Sequence, residues 1–109
     1  MSILALISEP TDEFERQFSI PVASESFFYE CWAPAITAMQ LEWVEHFSWG
    51  IEVRKEDLDK VICELLQIRE WSLHNLLEAK QSHILDRIDL LITKLPTAFR
   101  RENTVVFIG

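Results

Sequence analysis

Glycine is scarce in this chain of 109 residues: only Gly50 and Gly109 are present. Phosphate-cradling loops and nucleophile elbows need glycine for close backbone approach or a strained turn, so neither motif can be built here. Cysteine is nearly as rare. Cys31 and Cys63 are too few for a disulfide scaffold. Cys31 lies among aromatics and Cys63 in an apolar-striped helix, so both read as buried, unreactive thiols. No uninterrupted apolar run approaches the roughly eighteen residues of a membrane span. The opening MSILALIS is too short and too poor in basic residues for a signal peptide, which makes a soluble, cytoplasmic protein the expectation.

Positive charge is missing from half of the chain. Residues 1–50 hold eight acids against Arg16 alone, a net of −7, whereas residues 51–109 hold ten acids and nine bases. A field of this sign repels phosphate backbones and anionic lipid, so no nucleic-acid or membrane partner is expected. It steers a basic protein surface towards the N-terminal half.

Recognisable chemistry is also lacking. His46, His74 and His83 share no short ligand spacing with either cysteine, so neither a metal nor another cofactor is expected. The run Glu42-Trp-Val-Glu45-His46 looks superficially like the H-x-x-E-H zinc motif, but Glu42 stands where the first histidine belongs. It reads as a solvated helix face. No nucleophile has a base and an orienting group nearby in sequence, and the chain is expected not to be an enzyme.

What is present is the material for a core. Hydrophobic residues make up 49% of the chain, enough for one compact domain over 1–109. Its clearest pattern runs from Lys55 to Trp71, where Leu58, Val61, Ile62, Leu65 and Ile68 recur at the three-and-four spacing of one helix face. Asp59, Lys60, Glu64, Gln67 and Glu70 fall between them, where they can stay in water. The helix extends towards Lys80 only weakly, because Ser72, His74 and Asn75 interrupt the pattern.

A further helix follows Ser82 as its cap, carries Ile84, Leu85, Ile88, Leu91, Ile92 and Leu95, and ends at Pro96. Thr104–Ile108 reads as a strand, and Ile3–Ile7 as either a strand buried on both faces or a buried helical turn; as strands the two can pair and bring the termini together. Pro21 confines Phe18–Val22 to a sheet edge or a loop. Helix is expected across roughly 34–46, ended by Gly50, while 25–33 is open between a helix capped by Ser24 or Ser26 and an extended segment. The expected fold is α+β, with two to three helices packed on a small sheet that includes the C-terminal strand.

Aromatic residues locate the candidate site. Trp32, Trp43 and Trp49, three of the four tryptophans, lie in the acidic half, and two or three of the four are expected in the core. Tryptophan is enriched among interface hot spots. The expected partner-binding set is therefore Glu25, Glu30, Trp32, Glu42, Trp43, Glu45 and Trp49, in a monomer or small homo-oligomer that binds a basic protein. In size and charge alone the chain is similar to bacterial immunity proteins and antitoxins, a likeness that implies a toxin as one class of partner. Two other readings stay open. One is a small-molecule or regulatory domain with a pocket lined by Phe27, Tyr29, Trp32 and Trp43. The other is a structural subunit that self-associates through a sheet edge or the 83–95 helix.

Overall fold

A computed structural model describes residues 2–109. The chain is α+β: a four-stranded antiparallel sheet is joined to helices that supply the rest of the core. The strands are β1 (Ser2–Ile7), β2 (Ser19–Ser24), β3 (Ile51–Arg54) and β4 (Val105–Ile108), in the spatial order β2-β1-β4-β3. The two chain ends thus form the centre of the sheet, as expected from their apolar runs, with Ala5 opposite Ile108 and Ile7 opposite Val106.

Alternation then sorts the side chains. Ile3, Ala5, Ile7, Val53, Val106 and Ile108 are buried, while Leu6, Glu52 and Phe107 point to an open face. Pro21 sits on the edge strand β2, where its missing N–H breaks no central ladder. The β1–β2 register slips between Ile3 and Leu4, a bulge that lets the adjacent Val22 and Ala23 both be buried.

Gly50 is needed for backbone reasons. It has φ +107°, and a Cβ there would stand 2.6 Å from the Phe107 ring. Its N–H closes on the His46 carbonyl at 2.8 Å, ending a 3-10 turn over Val44–Ser48.

Five α-helices complete the chain: α1 (Glu13–Gln17), α2 (Glu25–Phe27), α3 (Ala33–Met39), α4 (Leu58–Asn75) and α5 (Glu78–Lys94). The segment left open at 25–33 is helical. Ser24 caps α2 by accepting the Phe27 N–H, and a π-turn over Phe28–Trp32 runs directly into α3. That turn explains how the helix passes Pro34. Pro34 has no N–H to give and its ring crowds the preceding turn, and the chain answers by widening, with Ala33 N–H bonding to Phe28 O.

The helix expected across 34–46 stops at Met39. Gln40 adopts the left-handed conformation, φ 52°, and closes α3 on Ile36. Helix α5 begins at Glu78 rather than after Ser82, because Gln81 ties the α4–α5 turn to the Ser72, Leu73 and Leu76 carbonyls.

Three side-chain expectations are corrected. Glu64 is buried rather than solvated, Cys63 is exposed rather than buried, and the Glu42–His46 run is a bend leading into a 3-10 turn rather than an α-helical face. Cys31 is buried, and both thiols are free.

One buried ion pair clamps the far end of the sheet. The Glu15 carboxylate is 2% exposed and takes both Arg101 Nε at 2.9 Å and Nη2 at 3.0 Å, together with the Thr11 amide and hydroxyl at 2.8 and 2.9 Å. Arg101 and Thr11 hold the Glu15 pKa at about 2, against burial, which raises it. Because the folded-state value lies below the ordinary 4.5, this clamp contributes full stability above about pH 4.5 and loses it as the pH falls towards 2. Glu15→Gln is therefore expected to melt below the wild type at pH 7, with the gap closing between pH 4.5 and 2. Thermal melts across that range check this, and a gap that does not vary with pH would contradict it.

Candidate functional site

The acid-and-tryptophan segment between Leu41 and Trp49 has no regular helix or strand to hold it, so its shape must come from elsewhere. It comes from α4. After Gln40 reverses the chain, three successive amides converge on the buried Glu64 carboxylate. Glu42 N–H reaches Oε2 at 3.0 Å, Trp43 N–H reaches Oε1 at 3.0 Å, and Val44 N–H reaches Oε1 at 2.9 Å. Consecutive backbone N–H groups pointing inward make a concave anion nest. Here the protein's own carboxylate fills the nest and fixes the 3-10 turn that follows. Leu41, Val44 and Phe47 anchor the same segment in the core.

With its backbone so held, the segment turns its remaining side chains outward. Glu42 and Glu45 are exposed, Trp43 is half-buried against the core, and Trp49 is 70% exposed. Three adjoining depressions run along this surface. The first is lined by Tyr29, Glu45 and Trp49, the second by Gln40, Glu42 and Glu45, and the third by Glu42, Trp43, Asp59, Lys60 and Glu64. Glu45 is shared by the first two and Glu42 by the last two, so they form one continuous track. Among the described residues that line it, Lys60 is the only Lys or Arg.

The other expected site residues are not brought here. Trp32 is fully buried, stacked on Phe28 at 5.8 Å between ring centroids, and so is withdrawn from any docking surface. Glu25 lies in the first turn of α2 and lines none of the three depressions. Glu30 is exposed but paired with Lys80 of α5. Tyr29, 58% exposed, and Asp59 line the track although they are outside the expected set. Only the fold places them beside Glu45 and Glu42.

The pocket expected over Phe27, Tyr29, Trp32 and Trp43 is not formed by these four. Trp32 is in the core, Tyr29 and Trp43 line different depressions, and Phe27 packs edge-on against His83 at 4.6 Å. Where two or three core tryptophans are expected, Trp32 alone is in the buried core, and Trp43 and Trp71 are half-buried against it.

A larger cleft of about 560 Å³ opens beside the Glu15–Arg101 clamp. With Arg101 neutralised by Glu15, its remaining charges are Glu9 and Glu52 against Arg54, a net of −1. Arg101 is committed to Glu15, with Nη1 donating to Asn103 at 2.8 Å. This cleft therefore offers no strong field of either sign.

Elsewhere, burial and then the neighbouring Glu30 charge push the Cys31 thiol up, which disfavours the nucleophilic thiolate. Among the described residues no three His, Cys, Asp or Glu side chains are grouped to hold a metal ion, and no helix is long and apolar enough to cross a membrane. Comparison of the chain with protein-family models, with curated proteins and with solved structures finds no match.

Proposed function

We propose that this protein is a non-enzymatic binding domain whose acidic, tryptophan-bearing track takes a basic protein partner, with toxins of the kind neutralised by bacterial immunity proteins as one class. The observation that carries the reading is the continuity of the track. Glu42, Glu45 and Asp59 line one surface on which Trp49 stays 70% exposed. A large indole left in water gives the core little, whereas at an interface it supplies a rigid apolar anchor. Exposed carboxylates around such an anchor speed encounter with a basic surface and select against acidic ones.

The test is titration against a panel of basic nuclease-type proteins at low and high salt. Binding is expected to weaken with salt, because charges separated by more than about 8–10 Å are screened at physiological ionic strength. Exposed ion pairs contribute about 0.2–1 kcal/mol each, so Glu42→Gln with Glu45→Gln should cost about two- to thirtyfold in affinity, mainly through slower association. Glu25→Gln, at the far end of the helix, should cost less. Affinity indifferent to salt and to the Glu42 and Glu45 changes would remove the electrostatic reading.

A further inference from the structure

The first depression of the track differs from the other two in shape and chemistry. It is a cleft of about 250 Å³ between the π-turn and α3 on one side and the Val44–Ser48 turn on the other. Buried Phe28 and Ile36 contribute to its lining, as do the exposed rings of Tyr29 and Trp49. The lining residues that carry polar groups are Tyr29, Thr37, Glu45 and Ser48, and no Lys or Arg is among them. His46 meets the Trp49 ring at an angle, 5.5 Å between centroids, which restrains the indole without covering it.

At about 250 Å³ the cleft lies just below the usual range of ligand pockets, about 300–1,000 Å³, and has room for a single side chain. Chemistry narrows the choice. Aromatic faces carry negative quadrupoles that attract a cation, and the carboxylate supplies a full opposite charge beside them. Of the two basic side chains, arginine fits better. Its guanidinium is planar, stacks on rings, sheds water more readily than an ammonium and can donate to a carboxylate and a hydroxyl at once.

We propose that the Tyr29–Trp49–Glu45 cleft is a receptor for one arginine side chain of the basic partner. The proposal rests on the reading of the acidic track as a docking surface and names the contact that anchors it.

The experiment is an NMR titration of the intact, isotope-labelled chain with N-acetyl-arginine amide as the probe. The neutral isostere N-acetyl-citrulline amide and N-acetyl-lysine amide serve as comparisons. Saturable shifts are expected at the Trp49 indole N–H and at the amides of Thr37 and Glu45, with millimolar affinity. They should be absent with citrulline and weaker with lysine, and be lost in Trp49→Ala and Glu45→Gln. Both substitutions lie at exposed positions, and the unperturbed remainder of each spectrum verifies the fold.

Three results would overturn the cleft assignment: no saturable shift at Trp49, an equal response to citrulline, or tighter binding of lysine. The two readings fail separately. If a basic protein binds in a manner sensitive to Glu42 and Glu45 while Trp49→Ala is silent, the acidic track stands and the arginine cleft does not.

Discussion

Replacing Leu65 with aspartate is expected to leave the chain unfolded or insoluble. Leu65 is fully buried on α4, within the same core as Val61 and Ile68. Removing its side chain forfeits about 1.5–3 kcal/mol of transfer free energy, and the cavity raises a Leu-to-Ala change to about 2–5 kcal/mol. Aspartate adds a buried charge with no partner in an apolar environment, which costs several kcal/mol more or forces the side chain to protonate. The sum rivals the roughly 5–15 kcal/mol stability of a domain of this size. Soluble yield and a circular-dichroism melt measure the effect, with Leu65→Ala as the graded companion that should still melt cooperatively at lower temperature. A cooperative melt near that of the wild type for Leu65→Asp would mean that this helix face does not pack as described.

That prediction was available from periodicity alone, and the reason is general. A stripe such as Val61, Leu65 and Ile68 repeats a local rule over several turns, so its errors average out. Thr104–Ile108 likewise reads as a strand by itself, whereas Ile3–Ile7, with Leu4, Ala5 and Leu6 between its isoleucines, becomes a strand through its pairing with β2 and β4. Pro21 carried its own edge-strand signature. Where a single residue decides the path, the pattern gives no warning. Gln40 ends α3 in a left-handed conformation that is uncommon for a side-chain-bearing residue, and its neighbours continue the helical spacing without a break. The π-turn before Pro34 is likewise a compromise between a strong helical context and one misfitting ring, and only the assembled core decides between widening and breaking.

The candidate site was legible in part. Charge asymmetry and tryptophan placement single out residues 41–49, and there Glu42, Glu45, Trp43 and Trp49 line adjoining depressions. Burial separates Trp32 from Trp49, and residue type alone does not say which tryptophan faces the core. Glu64 shows a different limit. On α4 the buried residues are Val61, Glu64, Leu65, Ile68 and Ser72, a stripe with regular three-and-four spacing. The competing stripe through Leu58 and Ile62 is as apolar, and it placed the glutamate in water. Only the converging amides of residues 42–44, more than twenty positions away by Glu42 and Trp43, make the buried phase the stable one.

Glu64→Ala is accordingly expected to cost about 3–5 kcal/mol. Three backbone N–H groups lose their acceptor, and an unsatisfied buried donor costs about 1–3 kcal/mol. The lower part of the summed range applies, because Glu64 borders a depression through which water can reach the nest. Glu64→Gln keeps one acceptor oxygen but turns an amide nitrogen towards the donors, so its cost should fall between wild type and alanine. Urea denaturation measures the totals.

Hydrogen exchange locates them: protection should drop at the amides of Glu42, Trp43 and Val44 well before it drops at Ile88 and Leu91 in α5. The loss should reach function indirectly. Freed of its nest, the segment no longer holds Glu42, Glu45 and Trp49 on one surface, so basic-partner affinity should fall in Glu64→Ala although Trp49 and both acids are intact. Stability within about 0.5 kcal/mol of wild type, the range of an ordinary surface substitution, would show that water serves the three amides as well as the carboxylate does. The track would then owe its shape to Leu41, Val44 and Phe47 alone.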